Sequence, residues 1–184
     1  KGKVVVITFD DGYQNVFQYA RPILNELGFT ATNFIVADLM GGINEWMLAK
    51  GSLVSPLMTA AQIQQWAAEG HEVGSHTLSH VYLSQEPPKE QSRQLAQSKV
   101  QLEDLLGHSV VSFCYPFGDL DAAAIEAVKV AGYACAVGTH KGLARQEDNL
   151  YALPRVSIIR SNHLLRFYQK ALTQLEHKRR KVYW

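Results

Sequence analysis

The sequence predicts an α/β fold built on a parallel sheet. Short apolar or β-branched runs alternate with segments of helical period along the whole chain, and glycines stand where the helices should stop. Size agrees with this. At 184 residues, 47% hydrophobic and 19% charged, the chain can bury one core but would strain to form two domains, so residues 1–184 read as a single domain.

The elements follow in order. Val4 to Phe9 is a continuous apolar run, the pattern of a strand buried on both faces, and a polar turn at Asp10 to Gly12 ends it. Val16, Phe17, Ala20, Ile23, Leu24 and Leu27 recur at helical spacing up to Gly28, with Pro22 expected to kink or shorten the helix. Ala31 to Val36 is the second strand. The stretch from Ala37 to Pro56 has no clear period and contains Gly41-Gly42, so it reads as a long excursion of the functional or mobile kind. Thr59 caps a helix that ends at Gly70. A strand at Glu72 to Ser75 precedes a long helix from about Pro88 to Leu106, with Gly107 past its end. Strand Val110 to Cys114, helix Asp121 to Ala131, strand Tyr133 to Val137, strand Arg155 to Ile159 and helix His163 to His177 complete the chain. Such a sheet is either open or closed toward a barrel, and ligands collect where its strands end and its loops converge.

Charge and composition exclude several roles. Lys+Arg 18 against Asp+Glu 17 leaves a net charge of +1, with no broad footprint for nucleic acid or anionic lipid; the one dense basic run, Lys178 to Lys181, reads as a solvated tail spanning 178–184. No apolar stretch approaches the ~18–20 residues of a membrane span. Lys1 opens directly into a strand pattern, without the features of a signal peptide. Cys114 and Cys135 are too few for a disulfide scaffold, and their pairing stays open.

Three chemically unusual segments each follow a strand and therefore share one face. Thr8-Phe9-Asp10-Asp11-Gly12 puts adjacent carboxylates at a strand end; a carboxylate there can also be a simple N-cap. His76-Thr77-Leu78-Ser79-His80 holds two imidazoles four residues apart, which one turn of helix would align, a spacing suited to zinc or another first-row divalent ion. The zinc-protease signature is rejected, because the residue four after His71 is Ser75. Phe113-Cys114-Tyr115-Pro116-Phe117-Gly118 is an aromatic turn that alone means packing. Together the segments offer one carboxylate and two imidazoles to a metal, a second carboxylate as base, and an aromatic wall, the parts of a hydrolytic metal site.

TFDDG (8–12), SHTLSH (75–80) and YPFG (115–118), in that order, resemble the polysaccharide deacetylase family, the NodB-homology or carbohydrate esterase family 4 type. The resemblance runs from Lys1 to about Gln174. It implies a distorted, incomplete (β/α) barrel that removes acetyl groups from sugars with one divalent metal, zinc foremost and Co2+, Ni2+ or Mn2+ as substitutes. It implies Asp11, His76 and His80 as metal ligands, Asp10 as the general base that takes a proton from the attacking water, and the backbone N–H of Phe117 at the oxyanion, with Tyr115, Pro116 and Arg155 on the substrate side. The expected partner is an acetylated polysaccharide, with no nucleic acid, no membrane span, a monomeric chain and an extracytoplasmic location.

Two positions depart from the family pattern. Its third motif begins with an Arg that orients the base, and Cys114 stands there; Arg155, at the start of the last strand, is a candidate to supply that charge from elsewhere, with surface or structural use as the alternative. The family's late Leu-x-His motif, which carries the general acid, is absent, leaving His140 and His163 as the late imidazoles, of which His163 reads better as a helix start, or a returned proton from Asp10 or the metal-held water. The short third motif resembles members that modify exopolysaccharide or poly-GlcNAc. The leading reading is a de-N-acetylase on a GlcNAc polymer; an O-acetyl esterase on xylan or a catalytically silent carbohydrate-binding domain are the alternatives. Among the other candidates, Trp66 reads as core, His71 and His108 as structural or solvent-facing, and Trp46 either as a wall for a sugar or as loop packing.

Overall fold

The computed structural model describes residues 4–51, 53–173 and 175–176. Six strands, β1 (Ile7–Phe9), β2 (Ala31–Ile35), β3 (Glu72–Ser75), β4 (Ser112–Cys114), β5 (Cys135–Lys141) and β6 (Leu153–Arg155), form one sheet in sequential order. Every neighbouring pair is parallel. Helices α1 (Arg21–Glu26), α2 (Ala60–Ala68), α3 (Pro88–Leu106) and α4 (Ala122–Val130) make the crossovers, and α5 (Leu164–Leu172) follows the last strand.

The sheet curls. Flat, β1 and β6 would lie about 24 Å apart across five strand spacings. Instead Arg155 at the end of β6 reaches Thr8 of β1 and Asp10 just beyond it, at 3.1 and 2.7 Å. This is the incomplete barrel, with its main core outside the curl, where Ile63, Trp66, Leu95, Leu102, Phe113 and Val128 are fully buried between sheet and helices.

Local chemistry accounts for the crossovers. Thr59 and Gln62 form a reciprocal capping box that starts α2. Asp121 accepts the Ala124 N–H at the head of α4. Pro22 sits in the first turn of α1, where no N–H is required of it, and a five-residue π-helical turn, Val16–Ala20, precedes it; the expected long helix is thus divided at the proline.

Several boundaries move from the sequence expectation. Val4, Val5 and Val6 are 88%, 77% and 73% exposed rather than buried, because β1 is an edge strand and its only partner begins at Ala31, opposite Ile7. The fifth strand starts and ends later than Tyr133 to Val137, so His140 lies within β5 and not after it. The last strand ends at Arg155 where it was expected to begin: Pro154 is tolerated at this edge, and β5 offers partners to Leu153 and Arg155 but none beyond. His163 caps α5 as expected, accepting the Arg166 N–H, but the helix stops at Leu172. The basic tail 178–184 lies outside the described residues.

Inside the curl the packing leaves no room at Gly74, where a Cβ would stand 2.4 Å from the Phe34 ring and 2.7 Å from Ser112 Oγ. Gly74→Ala is therefore expected to lower stability by about 1–3 kcal/mol, the usual cost of overpacking. Denaturant unfolding would read it, and an unchanged midpoint would mean that β2 and β4 separate freely there.

Candidate active site

Three loops at the carboxyl ends of β1, β3 and β4 converge, and each is bent by left-handed backbone. Among the described residues the non-glycine positions with positive φ are Asp11, Thr77, His80 and Phe117, and all lie in these loops. Such residues cost of order 1–3 kcal/mol each and persist where surrounding contacts over-determine them. His76 and His80 are accordingly aligned by a strained turn and not by the helical turn expected for their spacing.

The contacts that hold this turn are specific. His80 N–H donates to Thr77 Oγ1 at 3.0 Å, and Ala37 N–H donates to Thr77 O at 3.1 Å. Gln94, buried on α3, accepts from the N–H groups of Leu78 and Ser79 at 2.9 and 3.2 Å and returns a bond to Ser79 Oγ at 2.9 Å. Ser84 binds the Asp119 carboxylate through both N–H and hydroxyl, tying the second loop to the third. Sequence reasoning missed Gln94, Ser84 and Asp119. The only trace in the sequence is a polar residue on the buried stripe of α3.

Asp11, His76 and His80 come together. Asp11 Oδ1 lies 3.2 Å from Nε2 of both imidazoles, and one donor atom from each residue falls within 4.8 Å of the others. Simple ion pairs of this kind close to about 2.7–2.9 Å. Two donors on one tetrahedral ion, with bonds of ~2.1 Å, sit about 3.4 Å apart. His76 Nδ1–H donates to Cys114 O at 2.6 Å, so its Nε2 faces Asp11, where a neutral ring offers a metal its lone pair and a charged ring offers the carboxylate an N–H. Donor set, spacing and ring orientation all fit a divalent metal of the zinc class.

The adjacent carboxylates are held apart in role. Burial raises the Asp11 pKa, but hydrogen bonds and charge from His76 and His80 outweigh it and keep the group well below the usual carboxylate range. Burial likewise opposes ionisation of Asp10, and Arg155 overcomes it. The guanidinium grips both Asp10 oxygens at 2.7 Å, while its other N–H groups reach Thr8 Oγ1, Gly138 O and Cys114 Sγ. All of these Arg155 N–H groups are engaged within the protein, chiefly by Asp10, which Arg155 reaches from β6 and not from position 114. Both cysteines are free thiols.

Aromatic rings surround the imidazoles. Trp46 stacks on His80 at 3.9 Å and 16°, Phe117 meets His80 edge-on at 4.5 Å, and Tyr82 stacks on Phe117 at 3.9 Å. Tyr13 is pushed up to about 12 by burial and by the nearby Asp11 charge, so its hydroxyl stays protonated. The wall expected from Tyr115 and Pro116 is built differently. Both are buried, and the Tyr115 hydroxyl donates to Tyr151 O at 2.9 Å, so Phe117 and Tyr82 present the aromatic surface. Trp66 is core as expected, and His71 is structural, stacked on Trp66 and bonded to Asn25 and the Ala31 N–H.

A sequence model of polysaccharide deacetylases matches residues 1–136. The chain belongs to this family. YxkH of Bacillus subtilis (strain 168), which bears the same family designation, is 30% identical over 156 residues, covering 85% of this chain and 52% of YxkH. The poly-β-1,6-N-acetyl-D-glucosamine N-deacetylase of Staphylococcus aureus (strain MRSA252) is 26% identical over 160 residues, covering 84% of this chain and 54% of that protein. The chain therefore spans about half the length of the curated relatives it matches. Among solved structures, the Streptococcus pyogenes deacetylase PplD in complex with acetate superposes with a TM-score of 0.79 at 25% identity, over 92% of this chain and 71% of that one.

Gln94 ties the turn between His76 and His80 to α3. Gln94→Leu would orphan the Leu78 and Ser79 N–H groups, with an expected loss of about 1–3 kcal/mol in stability and roughly 10–100-fold in zinc affinity. Thermal unfolding and chelator competition on one preparation would measure both; unchanged zinc affinity would show that the turn keeps its shape unaided.

Proposed function

We propose that the chain hydrolyses acetyl groups from a GlcNAc-containing polysaccharide, with Asp10 as base and Asp11, His76 and His80 as ligands to one divalent metal, zinc foremost. The observation that supports this most is the split between adjacent carboxylates: Asp11 faces two imidazoles, whereas Asp10 faces a guanidinium. One acid is arranged for a metal and the other for a proton. When bound, the metal would supply Lewis-acid polarisation of the acetyl carbonyl and a more acidic water.

The chain's own residues do the rest. Asp10, kept ionised by Arg155, accepts a proton from the attacking water on a carboxylate oxygen whose other lone pair stays on the guanidinium. The backbone N–H of Phe117, in the left-handed turn after β4, is the donor assigned to the oxygen of the tetrahedral intermediate. Protonated Asp10 then returns its proton to the leaving nitrogen, so that water and amide become acetate and a free amine. His140, inside β5, is the alternative donor.

Arg155 has a second consequence. Because it lowers the Asp10 pKa against burial, its removal lets that pKa rise, and the base is protonated at a higher pH. For Arg155→Met the acidic limb of kcat/KM should move to higher pH, beside a lower maximum. A limb that stays in place would dissociate Arg155 from the base.

The decisive measurement is acetate release from N-acetylglucosamine oligomers and from acetylated xylo-oligosaccharides, with metal content determined alongside. Release from the amide series is expected. Asp10→Asn should keep the metal and lose roughly 10²–10⁴-fold in turnover, and His80→Ala should lose both metal and activity. Faster release from the xylan ester would favour the esterase reading, and metal without release from either would favour a silent carbohydrate-binding domain.

A further inference from the structure

The two imidazoles are supported in unlike ways. His76 has the usual outer partner, its Nδ1–H donating to Cys114 O at 2.6 Å. His80 lacks an outer partner of that kind: its Nδ1 is buried and meets no other residue at hydrogen-bonding geometry, only its own backbone. Metal-ligating imidazoles almost always use that second nitrogen to fix ring orientation and tautomer. Something else must hold the His80 ring.

Two rings do so. Trp46 lies flat on one face of His80 at 3.9 Å and 16°, and Phe117 closes on it edge-first at 4.5 Å and 77°. Stacking restrains tilt of the ring, and the edge contact restrains its rotation. The backbone beneath Trp46 is anchored to the loop that carries Asp11. Met58 N–H donates to Gly12 O and Gly41 N–H to Met58 O, both at 2.8 Å. Buried Asn44, two residues before Trp46, accepts the Ser55 N–H at 2.6 Å and donates to Tyr13 OH at 3.1 Å.

We propose that Trp46 is a positioning residue for the metal site, holding His80 by stacking in place of the hydrogen bond that His76 receives. This gives the excursion from Ala37 to Pro56 a purpose, as the arm that brings an aromatic face onto the ligand. It also assigns the Trp46 face against His80 to the metal site, so that a sugar ring can meet only the rest of the indole. The inference rests on the metal-site reading above.

The test is zinc affinity by chelator competition, together with the visible spectrum of the Co2+-substituted protein, for wild type, Trp46→Leu and Trp46→Phe. Trp46→Leu should bind zinc roughly 10–100-fold more weakly, the range for loss of an outer-shell partner, and its Co2+ bands should shift. Trp46→Phe, which keeps a stacking face, should recover most of the affinity and the wild-type bands. Wild-type affinity and unchanged bands in Trp46→Leu would overturn the proposal, as would equal losses in Leu and Phe variants whose thermal unfolding matches wild type. Failure of wild type itself to bind zinc or Co2+ would overturn the metal-site reading from which the proposal starts.

Discussion

The bidentate contact between Arg155 and Asp10 is the constraint on which the rest of this architecture depends. It joins residues 145 positions apart, from the two edges of a sheet whose strands run in simple sequence order. A charge pair at 2.7 Å demands that the sheet curl until β6 faces β1, and the same curl brings the loops after β1, β3 and β4 over one mouth. The pair is partly shielded from water, so it is screened less than a surface ion pair, and losing one partner would leave the other charge poorly solvated. Cys114 is part of this solution. A small side chain on β4 leaves space for a guanidinium from β6 and gives it a sulfur acceptor at 3.3 Å.

The site holds strain and the core holds it in place. Asp11, Thr77, His80 and Phe117 all adopt left-handed backbone, which any of these residues would leave if the turn were loose. Buried Gln94 and Ser98 on α3, with Tyr133 packed beside them, connect those turns to the most buried layer of the protein. Exposed aliphatic side chains include Val4 to Val6, Leu53, Val130 and, on α5, Leu164, Leu165 and Leu172.

Electrostatics then divides labour between neighbours in sequence. Asp10 and Asp11 are adjacent, yet the reversal of the chain at Asp11 and Gly12 turns one carboxylate toward Arg155 and the other toward the imidazoles. Burial and the Asp11 charge push the Asp10 pKa up, and Arg155, with help from the His76 charge, outweighs them; the two imidazoles hold Asp11 down.

Much of the local chemistry was legible in the sequence: the strand and helix alternation, the capping at Thr59, the helix start at His163, the core position of Trp66, and three motifs whose order alone indicates the family. These are short-range properties, set by periodicity, by capping side chains and by residue type, and they survive without knowledge of the fold. What only the tertiary structure decided involves partners far apart in the chain. Val4 to Val6 look buried by composition, but the length of β2 leaves them unpaired. Tyr115 looks like a substrate wall, but Tyr151 takes its hydroxyl and the core takes its ring. Gln94 has no motif, and Arg155, a candidate by sequence both for the substrate side and for the missing arginine, is assigned to Asp10 only when curling brings them together. Sequence determines what each residue can do; which residue does it at this site was decided by closure of the sheet, because hydrogen bonds and ion pairs act over a few ångströms and only the fold brings those groups within reach.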